Sequence, residues 1–190
     1  MRQVVNIRDH RAGTRLLKHA VVVAMFVSSA WPQSSHAQAN QSMIRLFRLD
    51  GSFCSELPAK ITTDNDLETP EFRLTVASLE ADSRGFLTRL RSVLTLSNGD
   101  KRRITEIEWR LDIYDEALRS LSQRVLQSEK VSVYPGDTAR ASAKFGAVLP
   151  DRMIVLLQVV RVTFADGSAW SPAAECSLGD DLRTISCKAK

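Results

Sequence analysis

Histidine is missing from most of this 190-residue chain, because its three histidines, His10, His19 and His36, all lie in the first 36 residues. Histidine is the side chain whose unperturbed pKa lies nearest neutrality. The remainder of the chain therefore excludes Ser/His/Asp and Cys/His nucleophile systems, and also histidine-ligated zinc, iron and copper sites. Carboxylate-pair hydrolysis and serine/lysine chemistry stay open, although neither has a recognisable motif here.

A basic segment followed by an apolar one opens the sequence. The apolar stretch Ala20–Ala30 has eleven residues, fewer than the roughly 20 that a membrane-spanning helix needs. The pattern predicts a cleaved secretory signal peptide over residues 1–39, with Asn40 as the first mature residue and a cut after Ala30 as the alternative. We therefore expect a periplasmic or secreted protein with no membrane span after cleavage.

Charge is balanced once this leader is set aside. The chain has 26 basic and 22 acidic residues, and 21 of each follow residue 39. Nucleic-acid and anionic-membrane binding therefore have no support from charge. Long linkers, repeats and low-complexity runs are also missing, so residues 40–190 are predicted to form a single domain with no cofactor.

Three cysteines remain for an oxidising compartment, which predicts one disulfide and one unpaired thiol. Cys176 and Cys187 flank a Gly179–Asp181 turn that can bring two short strands face to face, so this pair is the first choice. Pairing of Cys54 with either of them is the alternative. No CxxC motif is present, which favours a structural bond over a redox site.

Alternation of apolar and polar residues predicts strands along most of the chain. In Ile104–Asp115, the residues Ile107, Trp109, Leu111 and Ile113 alternate with charged residues and should share one buried face. The stretch "EFRLTV" predicts Phe72, Leu74 and Val76 inward, and "ARASAKF" predicts Ala139, Ala141, Ala143 and Phe145 inward. Met153–Phe164 is almost entirely apolar, which is typical of a central strand covered on both sides.

Turn residues separate these strands. Asn98-Gly99 predicts a tight hairpin, and Pro135–Asp137 and Asp166-Gly167 mark two further chain reversals. The fold class that follows is mainly β, a single antiparallel sandwich.

One segment fits two structures. Leu118, Leu121 and Val125 recur at helical spacing within Asp115–Lys130, which predicts a short amphipathic helix around residues 115–128. A continued strand pair fits the same residues, and the sequence leaves both open.

Several of these motifs together resemble a known class of protein. The strand "WRLDIYD", the turn "PGDT" and the strand end "VTFADGSAW" are similar to bacterial exported domains of immunoglobulin-like or fibronectin-like type, many without assigned function. The resemblance covers about Leu74–Trp170 and implies an immunoglobulin-like sandwich in which these motifs shape bends. It supplies no catalytic motif. Asp115–Ala117 stands where a glycine turn is expected, and the cysteine-containing tail extends beyond the resemblance.

Acidic residues offer two candidate sites. Asp64, Asp66 and Glu68 carry oxygen ligands suited to calcium, but the stretch lacks the glycine and distal glutamate of a calcium loop, so a solvated loop is favoured. Glu106, Glu108 and Asp112 project from one strand face, about 6.5–7 Å between successive positions, as a carboxylate-pair hydrolase would require. An exposed strand face paired with Arg89 and Arg91 explains them as well. Asp180 and Asp181 are interpreted as hairpin residues.

The remaining candidates are basic, aromatic or hydroxyl residues. Lys101–Arg103 is a solvated hairpin tip or a docking patch for an acidic partner. Trp109 and Trp170 are expected in the core rather than as sugar-stacking platforms. Asp166 and Ser168 are interpreted as part of a hairpin corner and not as a catalytic pair, because no histidine is present after residue 36 to act as a base for Ser168.

These observations predict a non-enzymatic exported protein that binds or supports another periplasmic or surface protein. Its binding face would be an unpaired edge strand or an exposed apolar patch. Carbohydrate binding through Trp109, Trp170, Tyr114 and Tyr134 is the first alternative, and a carboxylate-dependent hydrolase is the second. No catalytic, cofactor or metal residue is assigned.

Overall fold

The computed structural model describes residues 43–51, 53–63, 70–84, 87–147 and 152–190. The predicted signal peptide, residues 1–39, and the calcium candidates Asp64, Asp66 and Glu68 lie outside the described residues. Within them the chain forms strands joined by turns, with no helix. The strands are β1 (Ile44–Asp50), β2 (Phe53–Leu57), β3 (Lys60–Thr63), β4 (Phe72–Arg84), β5 (Leu87–Asn98), β6 (Ile104–Asp115), β7 (Ser120–Val133), β8 (Thr138–Ala147), β9 (Arg152–Phe164), β10 (Ala169–Trp170), β11 (Ala174–Leu178) and β12 (Thr184–Ala189).

The strands form three sheets. The central sheet has the order β2-β1-β9-β6-β7, with β10 added to the end of β9, and all of its pairs are antiparallel. A second antiparallel sheet, β4-β5-β8, packs against one face of the central sheet. A small sheet, β11-β12-β3, covers part of the opposite face, and its β12–β3 pair is parallel. The predicted mainly β fold with an antiparallel sandwich is confirmed, and the small sheet adds one parallel pair.

Two hydrophobic cores lie on the two faces of the central sheet. Because successive side chains of a strand point to opposite faces, Met153, Val155 and Leu157 of β9 join the large core, while Ile154 and Leu156 join the small one. The prediction that this strand is central and covered on both sides is confirmed. Ile107, Trp109, Leu111 and Ile113 are fully buried in the large core, as their alternation predicts.

The helix predicted around residues 115–128 is wrong, and the alternative strand pair is what forms. Asp115 Oδ1 accepts hydrogen bonds from the backbone N–H groups of Ala117 and Leu118, and Arg119 adopts a left-handed φ of 50°. The chain reverses there, and β7 returns along β6 in antiparallel register. The edge of β6 requires a partner strand, and this tertiary pairing outweighs the modest helix propensity of the segment.

Two of the predicted reversals connect different sheets. Asn98-Gly99 does not close a hairpin: β5 pairs with β4 and β8, whereas β6 lies in the central sheet. Pro135–Asp137 similarly leads from β7 to β8 in the second sheet. A glycine turn shows that the chain changes direction, but it does not show that the two strands it joins pair with each other. The Asp166-Gly167 and Gly179–Asp181 reversals do close hairpins, β9–β10 and β11–β12.

The inward position predicted for Val76 is also wrong. The pairing of β4 with β5 shifts between Leu74 and Val76, which leaves Thr75 as an extra residue. Such a bulge reverses the faces of all following side chains. Val76 is consequently 55% exposed, and Ala77 and Leu79 take the buried positions.

Candidate functional site

Four chain segments meet at one end of the sandwich, which we call the loop end. These are Pro70–Phe72 at the start of β4, the Gly99–Arg103 connection, the Tyr134–Asp137 turn and the Ala165–Ser168 corner. They meet because Ile104, the first residue of β6, pairs with Val133 at the end of β7 and with Phe164 at the end of β9.

Asn98 ties these segments together. Its buried side-chain amide donates to the carbonyl oxygens of Arg102 at 2.8 Å and Val133 at 3.0 Å, and its Oδ1 accepts from the backbone N–H of Asp100 at 3.0 Å. The Asn98 backbone also exchanges hydrogen bonds with the Gly136–Asp137 turn. The loop end is therefore fixed by a buried polar residue.

Arg102 is held on three sides. Its Nη2 lies 2.6 Å from Asp100 Oδ2, its Nη1 donates to Ser168 Oγ at 3.0 Å, and its guanidinium carbon lies 3.7 Å from the centroid of the Phe164 ring. The hydrogen bond from Arg102 lowers the pKa of Asp100, and Asp100 raises the pKa of Arg102. Arg102 thus links the Gly99–Arg103 connection to the Ala165–Ser168 corner, and Asp100 compensates its charge.

The corner "FADGSAW" is a hairpin, as predicted. Gly167 has a φ of 82°, its N–H donates to Phe164 O, and Phe164 N–H donates to Ser168 O. Ser168 Oγ and N–H both bond to Asp166, which lowers the pKa of that carboxyl group. A carboxylate with a lowered pKa is a poor general base, so this geometry does not activate Ser168.

A cavity of about 540 Å³ opens at the loop end. Its walls come from three distant parts of the sequence: Pro70, Glu71, Phe72, Asp100, Lys101, Arg102 and Trp170. Trp170 is half-buried and packs edge-on against Phe72, with ring centroids 4.9 Å apart. Lys101 and Arg102, predicted to form a solvated hairpin tip, line this cavity. No short sequence motif contains all of the cavity residues, so the sequence alone did not predict it.

The other aromatic candidates are distributed through the fold. Trp109 is buried and its Nε1 donates to Ser92 Oγ at 2.9 Å, while the buried Tyr114 accepts at its hydroxyl from Leu178 N–H. Tyr134 is exposed beside Arg103. The four aromatics considered for sugar binding are thus spread over different parts of the fold, and Trp170 is the one that lines the loop-end cavity.

The carboxylates of β6 have partners other than those predicted. Asp112 is 1% exposed and forms ion pairs with Arg110 at 3.0 Å and Arg124 at 2.7 Å, and Glu108 lies 3.9 Å from Arg161. Arg89 and Arg91 lie on β5, in the other sheet, and Arg91 pairs with Glu80. The predicted cross-strand pairing with Arg89 and Arg91 is therefore wrong.

Three exposed leucines lie at the opposite end and along the edge strand β7. Leu118, Leu121 and Leu126 are 74%, 45% and 64% exposed. Because of a register shift, Leu121 is opposite Tyr114 while Leu126 is opposite Arg110, so both leucines lie on the outer face of the central sheet with Arg124 between them. We call Leu121, Arg124 and Leu126 the β7 stripe.

Two of the three cysteines link neighbouring strands of the small sheet. Cys176 and Cys187 are directly opposed on β11 and β12, and their sulfur atoms lie 2.04 Å apart, a bonding distance. Cys54 on β2 is the unpaired thiol, and burial raises its pKa to about 11. A thiol of this kind is a weak nucleophile at neutral pH.

No group of three or more possible metal ligands occurs among the described residues, and none of their elements is a helix able to cross a membrane. The chain matches no protein-family model, and no curated protein matches it.

Proposed function

We propose that this chain is a non-enzymatic, exported binding protein with an immunoglobulin-like sandwich, and that it holds an extended segment of another periplasmic or surface protein along β7. The observation that carries the proposal is the β7 stripe beside an unpaired strand edge. Export is supported by the leader, and the close approach of Cys176 and Cys187 fits an oxidising compartment.

Strand β7 is a long edge. In the described part of the chain its backbone pairs with β6 and with no other strand. Near its C-terminal end, Glu129 bonds to the backbone N–H of Ser142 on β8 and occupies part of the edge. The backbone groups of Ser120–Leu126 are therefore available to a further strand, and β-strand addition gains affinity from such main-chain hydrogen bonds.

The β7 stripe supplies contacts for side chains of the added strand. Leu121 and Leu126 present apolar surface, while the charge of Arg124 is compensated by Asp112 and by Glu175 at 3.3 Å. Exposed leucines on a strand edge invite association unless a partner covers them. An extended segment with apolar residues at alternate positions matches this surface.

Carboxylate-dependent hydrolysis receives less support. Asp112 is almost fully buried between Arg110 and Arg124, and Glu108 lies 3.9 Å from Arg161. A hydrolase of this class needs two carboxyl groups that both reach the bond to be cleaved. Asp112 and Glu108 instead compensate the charges of neighbouring arginines on the sheet.

The test is in-cell crosslinking of the exported protein with variants of the stripe. Leu126→Lys, alone and with Leu121→Lys, should abolish the crosslinked partner by placing charge at its binding face. Val76→Lys is the matched control, because Val76 is an exposed apolar residue on β4 in the other sheet. Recovery of the same partner with Leu126→Lys, or of no partner with the native chain, would overturn the proposal.

A further inference from the structure

The loop-end cavity has the chemistry of a ligand site distinct from the β7 stripe. It lies at the end of the sandwich where β6 begins, whereas Leu118 and Leu121 lie where β6 ends and β7 begins. Its volume of about 540 Å³ is within the range of about 300–1,000 Å³ found for small-ligand clefts. Loops fixed by a rigid scaffold commonly carry such sites.

The walls of the cavity are held in place before any ligand arrives. Arg102 is clamped by Asp100, Ser168 and the Phe164 ring, and Trp170 is fixed against Phe72. The N–H of Gly99 donates to Glu71 O at 3.1 Å, which joins the start of β4 to the connection that carries Asp100, Lys101 and Arg102. Little conformational entropy would be lost from Arg102 and Trp170 on binding, and the ordering cost would fall on the exposed side chains of the wall.

Three side chains of the cavity wall make no hydrogen bond within the described residues. The side chains of Glu71 and Lys101 are exposed and make neither a hydrogen bond nor an ion pair there, and the indole of Trp170 is partly open to the cavity. The carboxylate offers an acceptor, the ammonium offers donors, and the indole offers an apolar ring.

The charge of the cavity selects against strongly charged ligands. Its lining contains Glu71 and Asp100 together with Lys101 and Arg102, so an anion and a cation would each meet like charges. Hydroxyl groups both donate and accept, and they satisfy a carboxylate and an ammonium together through charge-assisted hydrogen bonds. A sugar ring combines several hydroxyls with a C–H face that packs on an aromatic ring.

We propose that the loop-end cavity binds a neutral oligosaccharide, with Glu71 and Lys101 bonded to hydroxyl groups and Trp170 packed on one sugar ring. This site is independent of β7, so the chain would hold a glycan at one end and a protein segment along its edge.

The test is titration calorimetry of the exported protein with neutral gluco-, manno- and chito-oligosaccharides, beside a uronate-containing oligosaccharide and a short peptide. At least one neutral oligosaccharide should bind with Kd below about 1 mM. Glu71→Gln and Lys101→Gln should each weaken that binding about tenfold, because each removes a charged partner of a hydroxyl group.

Matched controls separate this site from general effects. Asp180→Asn and Lys188→Gln change exposed charges on or beside the small sheet and should leave the affinity unchanged, as should Leu126→Lys on the β7 stripe. Two results would overturn the assignment. The first is that no neutral sugar binds, whether or not the uronate or the peptide does. The second is that the affinity for a neutral sugar is unchanged in both Glu71→Gln and Lys101→Gln.

Discussion

The indole Nε1 of Trp109 donates a 2.9 Å hydrogen bond to Ser92 Oγ across the interface between the two large sheets. Ser92 Oγ in turn lies 2.6 Å from Gln127 Oε1 on β7. All three residues are buried, so this polar chain links β5, β6 and β7 inside an otherwise apolar core. A satisfied polar chain of this kind fixes how the two sheets align.

Ser92→Ala should destabilise the fold by about 1–3 kcal/mol, because it leaves the Trp109 N–H and the Gln127 carbonyl buried without a partner. The free energy of unfolding in urea measures the effect. Ser97→Ala is the control on the same strand, at a half-buried position, and should change stability by less than about 0.5 kcal/mol. Equal stabilities of the two variants would contradict the role given to Ser92.

Gly99→Ala should destabilise the loop end. A Cβ atom there would clash with the backbone oxygen of Glu71, so the start of β4 or the connection must shift. Overpacking of this kind costs about 1–3 kcal/mol. At Gly146 the nearest atom to an added Cβ is 3.9 Å away, so Gly146→Ala should be neutral. Thermal unfolding of both variants decides the point.

Asp112→Asn should cost about 3 kcal/mol, because it removes the carboxylate that compensates Arg110 and Arg124 at a position that is almost fully buried. Glu108→Gln removes a carboxylate from the same strand face that lies 3.9 Å from a half-exposed arginine, and it should cost less than about 0.5 kcal/mol. Denaturant unfolding at pH 7 compares them. A similar loss for both variants would show that burial of Asp112 has no special effect.

The β11–β12 turn should lose stability in acid. The Thr184 hydroxyl and the backbone N–H groups of Arg183 and Thr184 bond to Asp181 and lower its pKa to about 2. An unfolded aspartate has a pKa of about 3.9. The contribution is therefore complete above about pH 4 and is lost as the pH falls toward 2.

The difference in melting temperature between the native chain and Asp181→Asn should shrink over that pH range. Asp180→Asn is the control, because Asp180 makes no comparable hydrogen bonds among the described residues. An Asp181→Asn difference that stays constant from pH 5 to pH 2 would be the contrary result.

The sequence predicted those features that depend on alternation within one strand. The buried face of β6 around Trp109, the doubly covered β9 and the hairpin at Gly167 all follow from local pattern. Pairing between distant segments was harder to predict. Asn98-Gly99 has the residues of a tight turn, but the buried Asn98 side chain bonds to Arg102 and Val133 and directs the chain into another sheet.

Functional surfaces were predicted less well for the same reason. The spacing of Leu118, Leu121 and Val125 matches a helix, yet the register with β6 turns Leu121 outward while Val125 packs on the large core. The cavity combines Glu71, Lys101 and Trp170, which are separated by 30 or more residues. No sequence window contains such a site, so only the fold reveals it.

The most direct test of the central claim is site-specific photo-crosslinking from β7. A photoreactive amino acid in place of Leu126 should capture a single exported or surface protein, and mass spectrometry should locate the link within an extended, alternating apolar segment of that protein. The same amino acid in place of Val76 should capture nothing comparable. Equal capture from both positions, or no capture from residue 126, would contradict a partner that adds to the β7 edge.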